Sequence, residues 1–399
     1  KCWWCDTSIA SSTRSSRFPS AAPDGLAAAA LLSFLATAGF FYVNIMAALV
    51  AGLVEGLGFS ESDAGRVASM NVYGAALGAL TAVAIVARVA WRPFAACALL
   101  GLIAIDVASI FVTTPHALMA MRFLHGMVGG LLVGVSYGVF TRTKSPDRVF
   151  GMLLVVQYGL GGLGIMLLPK LVPLYGHGVL FGALIAFSTV TLFMLPFLDD
   201  YPRGRIVRPA ASGGVRKGLL AAAVASVFLF QAGNMGLAAY MLGLAKHAGI
   251  DANYASTALG AATWIGILGS ALVVALGTRV GRTVPLLASA ALTVLGTLAF
   301  HWGGSKAVYL LANCATAITW SFAIAYLLGL CAAFDPSGRA AALGGFLSKM
   351  GLASGPFIAA WLLEVSNYTT LINVSAIVLA ASVPAMLLPA RALDKEKTP

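Results

Sequence analysis

Asp199-Asp200-Tyr201-Pro202-Arg203-Gly204-Arg205-Ile206-Val207-Arg208-Pro209-Ala210-Ala211-Ser212-Gly213-Gly214-Val215-Arg216-Lys217 is the longest polar stretch inside an otherwise apolar chain. Its prolines, glycines and five basic residues read as a flexible linker. On both sides the sequence breaks into apolar runs of about 20 residues, enough helix to cross a hydrocarbon core about 30 Å thick. Six runs precede the linker (26–54, 64–87, 94–113, 117–140, 150–168 and 179–198) and six follow it (218–245, 254–277, 284–301, 307–333, 340–363 and 369–388). They are called spans one to twelve below. The expected organisation is a disordered N-terminal segment (1–25), a six-helix bundle (26–198), the linker (199–217), a second six-helix bundle (218–389) and a short tail (390–399).

Composition agrees with this division. Of 399 residues, 60% are hydrophobic and only 10% charged, with a mean hydropathy of +0.91. A soluble domain carries about 25% charged residues, so composition excludes a water-soluble enzyme, a disordered chain and a disulfide scaffold. The net charge of +11 has no basic soluble domain to carry it, which argues against nucleic acid as a partner. With the N-terminus placed in the cytoplasm, nineteen of the 25 Lys and Arg fall on the cytoplasmic side. Only Arg66, Lys170, Lys246 and Lys306 fall opposite, and Arg122 and Lys349 lie within spans. That asymmetry is the positive-inside pattern. It predicts a multi-pass protein of the plasma or inner membrane with both termini cytoplasmic. Among the five cysteines, Cys2 and Cys5 form a lone C-x-x-C without a second pair or a nearby histidine, too little for zinc.

The two halves repeat at a constant offset. Arg88 after span two returns as Arg279 after span eight, Arg148 as Arg339, Gly58 as Gly249 and Gly78 as Gly269, each pair 191 positions apart. A duplicated unit with both copies in one orientation implies two halves related by an axis along the membrane normal.

Twelve spans in a six-plus-six arrangement, the basic central linker and the arginine-bearing loops after spans two and eight resemble the major facilitator superfamily. Its loop motif is roughly G-x-x-x-D-R-x-G-R-R. Arg88 and Arg92 match it in the first copy, Arg279 and Arg282 in the second, and Ala87 and Thr278 stand where the family has Asp. Arg122-Phe123-Leu124-His125-Gly126-Met127-Val128-Gly129 in span four is similar to the family's R-x-x-x-G-x-x-G. The resemblance implies an all-α fold of two pseudo-symmetric six-helix bundles. It also implies a central site lined by spans one, four, seven and ten, and secondary transport by alternating access.

A charge at mid-depth of a membrane costs about 2.5–3.5 kcal/mol on insertion scales and marks function by default. Asp106, Arg122 and Lys349 qualify. Arg122, His125, Gly126 and Gly129 share one face of span four. His125 titrates in the physiological range when unperturbed, and it reads either as a proton carrier or as a neutral, hydrogen-bonded packing residue. Asp106 reads equally as a proton carrier or as a partner for a neighbouring helix. Lys349 in span eleven and its repeat mate Tyr158, preceded by Gln157, are expected to face one central pathway, with Arg122 and Lys349 making it electropositive. Asn44, Gln231, Asn234, Asn313 and Trp320, with Tyr42, complete the polar candidates.

Gly159-Leu160-Gly161-Gly162-Leu163-Gly164 fits G-x-G-x-x-G, but no strand precedes it and no acid follows at nucleotide-binding distance. These glycines are expected to thin span five for close packing. Metal-ligand, Walker and nucleophile–base spacings are lacking. The expectation is a non-enzymatic, cofactor-free, monomeric transporter, a symporter that moves a small organic anion such as a carboxylate together with protons. Multidrug efflux by proton antiport and a transporter-like sensor remain as alternatives.

Overall fold

A computed structural model describes residues 21–23, 25–86, 88–201, 216–277, 279–334 and 339–395. Most of the N-terminal segment with Cys2 and Cys5, the bulk of the linker, Ala87, Thr278 and the end of the tail lie outside the described residues. Every regular element among the described residues is helical. Eleven helices are long and apolar enough to cross a membrane.

The first expected span is not one helix. It forms Leu26–Ala38, Phe41–Asn44 and Met46–Leu57, broken at Gly39–Phe40 and at Ile45. The break falls where backbones meet: a Cβ on Gly39 would overlap the carbonyl oxygen of Gly129 in span four. Span eight bends similarly, as Ala252–Ile265 and Ile267–Leu276, and the Ser321 hydroxyl donates to the carbonyl exposed at Gly266 (2.6 Å).

Helix ends follow local chemistry. Span two starts at Glu61, three residues before the apolar run, because the Ser60 hydroxyl accepts from the Asp63 amide (3.0 Å). Span four begins on Pro115, whose missing N–H costs nothing at a first helical position. Gly58 and Gly249 end corresponding helices with φ of 67° and 75°, in the left-handed region that glycine enters without penalty. Span twelve runs to Lys395, past the boundary expected at 389. There Asp394 accepts from the backbone amides of Arg282 (2.9 Å) and Thr283 (2.8 Å) and tethers the start of span nine.

Within each half, glycine brings helices into backbone contact. A Cβ on Gly78 would strike the Met127 carbonyl, and one on Gly269 the Ile318 carbonyl; Met127 and Ile318 are themselves 191 positions apart. Between the halves, span two packs on span eleven and span five on span eight. Gly162 and Gly260 allow the second contact, each lying against the other's carbonyl. The expected thinning of span five is therefore present where it meets the other half.

Candidate functional site

One end of the molecule carries Arg66, Lys170, Lys246 and Lys306 and is called the Arg-poor end. There the halves are fastened together. Arg66 of span two pairs with Glu364 of span eleven, Ser62 donates to the same carboxylate (3.2 Å), and Tyr368 donates to Glu61 (2.5 Å). Lys170 reaches Thr257 (3.2 Å). Nearer the middle, Tyr73 and Ser354 share a hydrogen bond (3.0 Å).

Below this closure, residues of both halves converge at the break in span one. Lys349 lies half-buried with its Nζ 5.3 Å from the centre of the Phe40 ring. Among the described residues no carboxylate pairs with it. Beside it, Trp320 Nε1 donates to Gln231 Oε1 (2.7 Å), and Gln231 Nε2 donates to Ser348 Oγ (2.8 Å), a chain linking spans ten, seven and eleven. The Tyr158 ring meets Trp320 edge-on at 6.5 Å, and Trp264 Nε1 donates to the Gly159 carbonyl (3.0 Å). Asn44 carries a buried Nδ2 with no hydrogen-bond partner. A cation, directional amide and hydroxyl groups and aromatic walls therefore meet between the halves.

Arg122 is elsewhere. It is fully buried inside the N-terminal half, with Nη1 2.7 Å from Asp106 Oδ1 and Nη2 donating to Ser109. Its guanidinium lies 5.1 Å from the Phe181 ring centre and 5.9 Å from that of Tyr42. His125 Nε2 lies 3.3 Å from Asp106 Oδ2. Asp106 thus takes the helix-partner arrangement. Lys349 stands between the halves with no carboxylate beside it among the described residues, whereas the charge of Arg122 is paired and sealed from solvent. The two cations do not share one cavity surface in this arrangement.

The remaining candidates separate. Asn234 and Asn313 donate along their own helices, to Phe230 (2.9 Å) and Tyr309 (2.8 Å). Gln157 is half-buried on span five. Of the loop arginines, Arg92 pairs with Asp200 (3.4 Å) at the start of the linker, and Arg282 offers its backbone amide to Asp394. Arg88 and Arg279 lie in the turns after spans two and eight. Sequence reasoning missed Phe40, Asn71, Ser109, Ser348 and Trp264. Asn71 carried a usable signal, as an amide in the middle of an apolar helix.

These features define a multi-pass helical membrane protein with the major facilitator fold. No protein-family model matches the sequence, and no curated protein sequence matches it. Among solved structures, the nucleoside transporter NupG superposes with a TM-score of 0.72 as its D323A mutant, at 13% identity over 92% of this chain and 100% of that one. Unmutated NupG gives 0.67, at 16% identity over 92% and 99%. The human organic anion transporter MFSD10 (TETRAN) gives 0.61, at 16% identity over 90% and 97%. These likenesses establish the fold.

Proposed function

We propose that this chain is a secondary transporter for a small organic anion such as a carboxylate. It works by proton-coupled alternating access of two pseudo-symmetric six-helix halves, with the broken span one added to the eleven long apolar helices to make twelve. Lys349 carries the reading: a cation held at mid-depth between the halves, with no carboxylate beside it among the described residues, favours an anionic ligand. The Gln231–Ser348–Trp320 chain supplies directional groups. The matching contacts at Gly78 and Gly269 support the pseudo-symmetry. With the arginine-rich side cytoplasmic, the closed Arg-poor end faces outward and the arrangement is inward-facing. Asp106, the one carboxylate expected inside a span and so the group a cation exporter would use, lies one turn from the end of its helix and is committed to Arg122, which disfavours multidrug efflux.

A nucleoside is the second reading. The rings of Tyr158 and Trp320 beside the Gln231 amide suit a nucleobase, and NupG is a nucleoside transporter. Liposomes containing the protein separate the two. Labelled carboxylates and nucleosides are offered with and without an inward proton gradient. Gradient-driven carboxylate accumulation that is lost in Lys349→Ala supports the anion reading. Nucleoside uptake that survives Lys349→Ala replaces it, and ligand binding without flux points to a sensor.

A further inference from the structure

Asn71 lies in the middle of span two, 3% exposed. Its Nδ2 is 3.2 Å from the backbone carbonyl oxygen of Arg122 and 2.8 Å from His125 Nδ1. A carbonyl oxygen only accepts, and of the two ends of a carboxamide only the nitrogen donates. The amide orientation is therefore set by the network: the opposite orientation would press two oxygens together. The second N–H then points at His125 Nδ1, which must carry a lone pair. A neutral imidazole so arranged keeps its proton on Nε2, the nitrogen that faces Asp106. The groups around the ring are Asp106 from span three, Arg122 from its own helix, Asn71 from span two and the Tyr42 ring from span one, 6.1 Å away. Phe181 of span six covers the guanidinium.

We propose that Asn71 is a positioning residue that holds His125 as the neutral Nε2–H tautomer while the Arg-poor end is closed, so that protonation of His125 requires the Asn71 amide to turn. The incoming proton adds to the Nδ1 lone pair without breaking any covalent bond. The Asn71 N–H then has no acceptor there, and Asn71 must present its oxygen instead, giving up its bond to the Arg122 carbonyl. Span two has no room to yield by sliding sideways, because a Cβ on Gly126 would overlap the Asn71 carbonyl and Gly74, Gly78 and Gly130 sit as close to facing backbone. The same helix carries Glu61 and Arg66, which fasten the halves at the Arg-poor end. A proton arriving at His125 therefore acts on the helix that holds that end shut. This consequence for transport rests on the proton-coupled reading above; the tautomer does not.

The test uses the full chain in nanodiscs with 15N-labelled histidine, the His125 signals being identified by their loss in His125→Gln. At neutral pH, wild type should show Nε2 protonated and Nδ1 bare. In Asn71→Asp the carboxylate accepts instead of donating, and Nδ1 should become protonated at the same pH. Asn71→Ala, which neither donates nor accepts, should lose the single-tautomer signature and serves if the Asp variant does not fold. A protonated Nδ1 in wild type overturns the proposal, as does an unchanged tautomer in either folded variant. In liposomes, Asn71→Asp should displace the pH profile of uptake, and the displacement should vanish in the His125→Gln background. Proton-driven accumulation that persists in both Asp106→Asn and His125→Gln removes these residues from the coupling reading and leaves the tautomer to be decided by its spectrum.

Discussion

The ammonium of Lys349 in span eleven faces the ring of Phe40 across the boundary between the halves, 5.3 Å from its centre. Phe40 sits at the break in span one, so the interrupted helix of one half touches Lys349 of the other. A cation over an aromatic face gains about 0.5–2 kcal/mol depending on desolvation. On the proposed reading, an anion pairing with Lys349 would compete with that contact at the break in span one.

Lys349→Ala should reduce anion uptake by about 10- to 100-fold, since hydrogen bonds to charged groups are worth about 1.5–3 kcal/mol. Phe40→Leu keeps the charge and should change the apparent KM only several-fold. Initial rates in liposomes check both, and equal losses in the two variants would mean that packing, not charge, governs the site.

Asp106→Asn should destabilise the protein by about 3–5 kcal/mol, because it strands the fully buried Arg122 without its counter-charge. Asp106→Asn combined with Arg122→Leu should recover most of that loss. Denaturation in detergent followed by intrinsic fluorescence measures the difference.

Arg66→Ala and Glu364→Gln should favour opening at the Arg-poor end by a modest factor. The side chains are 30% and 51% exposed, and exposed pairs contribute about 0.2–1 kcal/mol, up to about fivefold in the equilibrium. A cysteine introduced at Ser354, beneath the closure, reports this through its labelling rate in a background lacking the native cysteines.

Gly126→Val should cost about 1–3 kcal/mol by forcing span two off span four, since its Cβ would overlap the Asn71 carbonyl. Gly151→Val in span five meets nothing within 4 Å and should change the unfolding midpoint far less. Comparable midpoints for the two variants would show that the tight 2–4 contact is not required.

Much of the architecture was legible because bilayer insertion is written locally. A run of about 20 apolar residues has few alternatives to a spanning helix. The turn glycines Gly58 and Gly249 were visible as repeat marks before their left-handed backbone gave the reason. Span one was harder to read. Its apolar run is unbroken in hydropathy, and the interruption depends on Gly39 meeting Gly129, a contact between residues 90 positions apart. The charges within the helices were also identifiable one by one, yet their partners were not. Asp106 could pair with any helix turned toward it, and the sequence does not state how span three is rotated.

The amino-acid sequence alone therefore determined that this is a helical membrane chain, roughly where most of its helices begin and end, and which charged side chains lie within them. Those properties follow from length, hydropathy and spacing. The tertiary structure alone decided that Asp106, Arg122, His125 and Asn71 close into one buried network inside the N-terminal half while Lys349 is left between the halves. The reason is geometric. Glycine contacts set helix rotation and depth, and rotation decides which charges neutralise each other and which one is left between the halves.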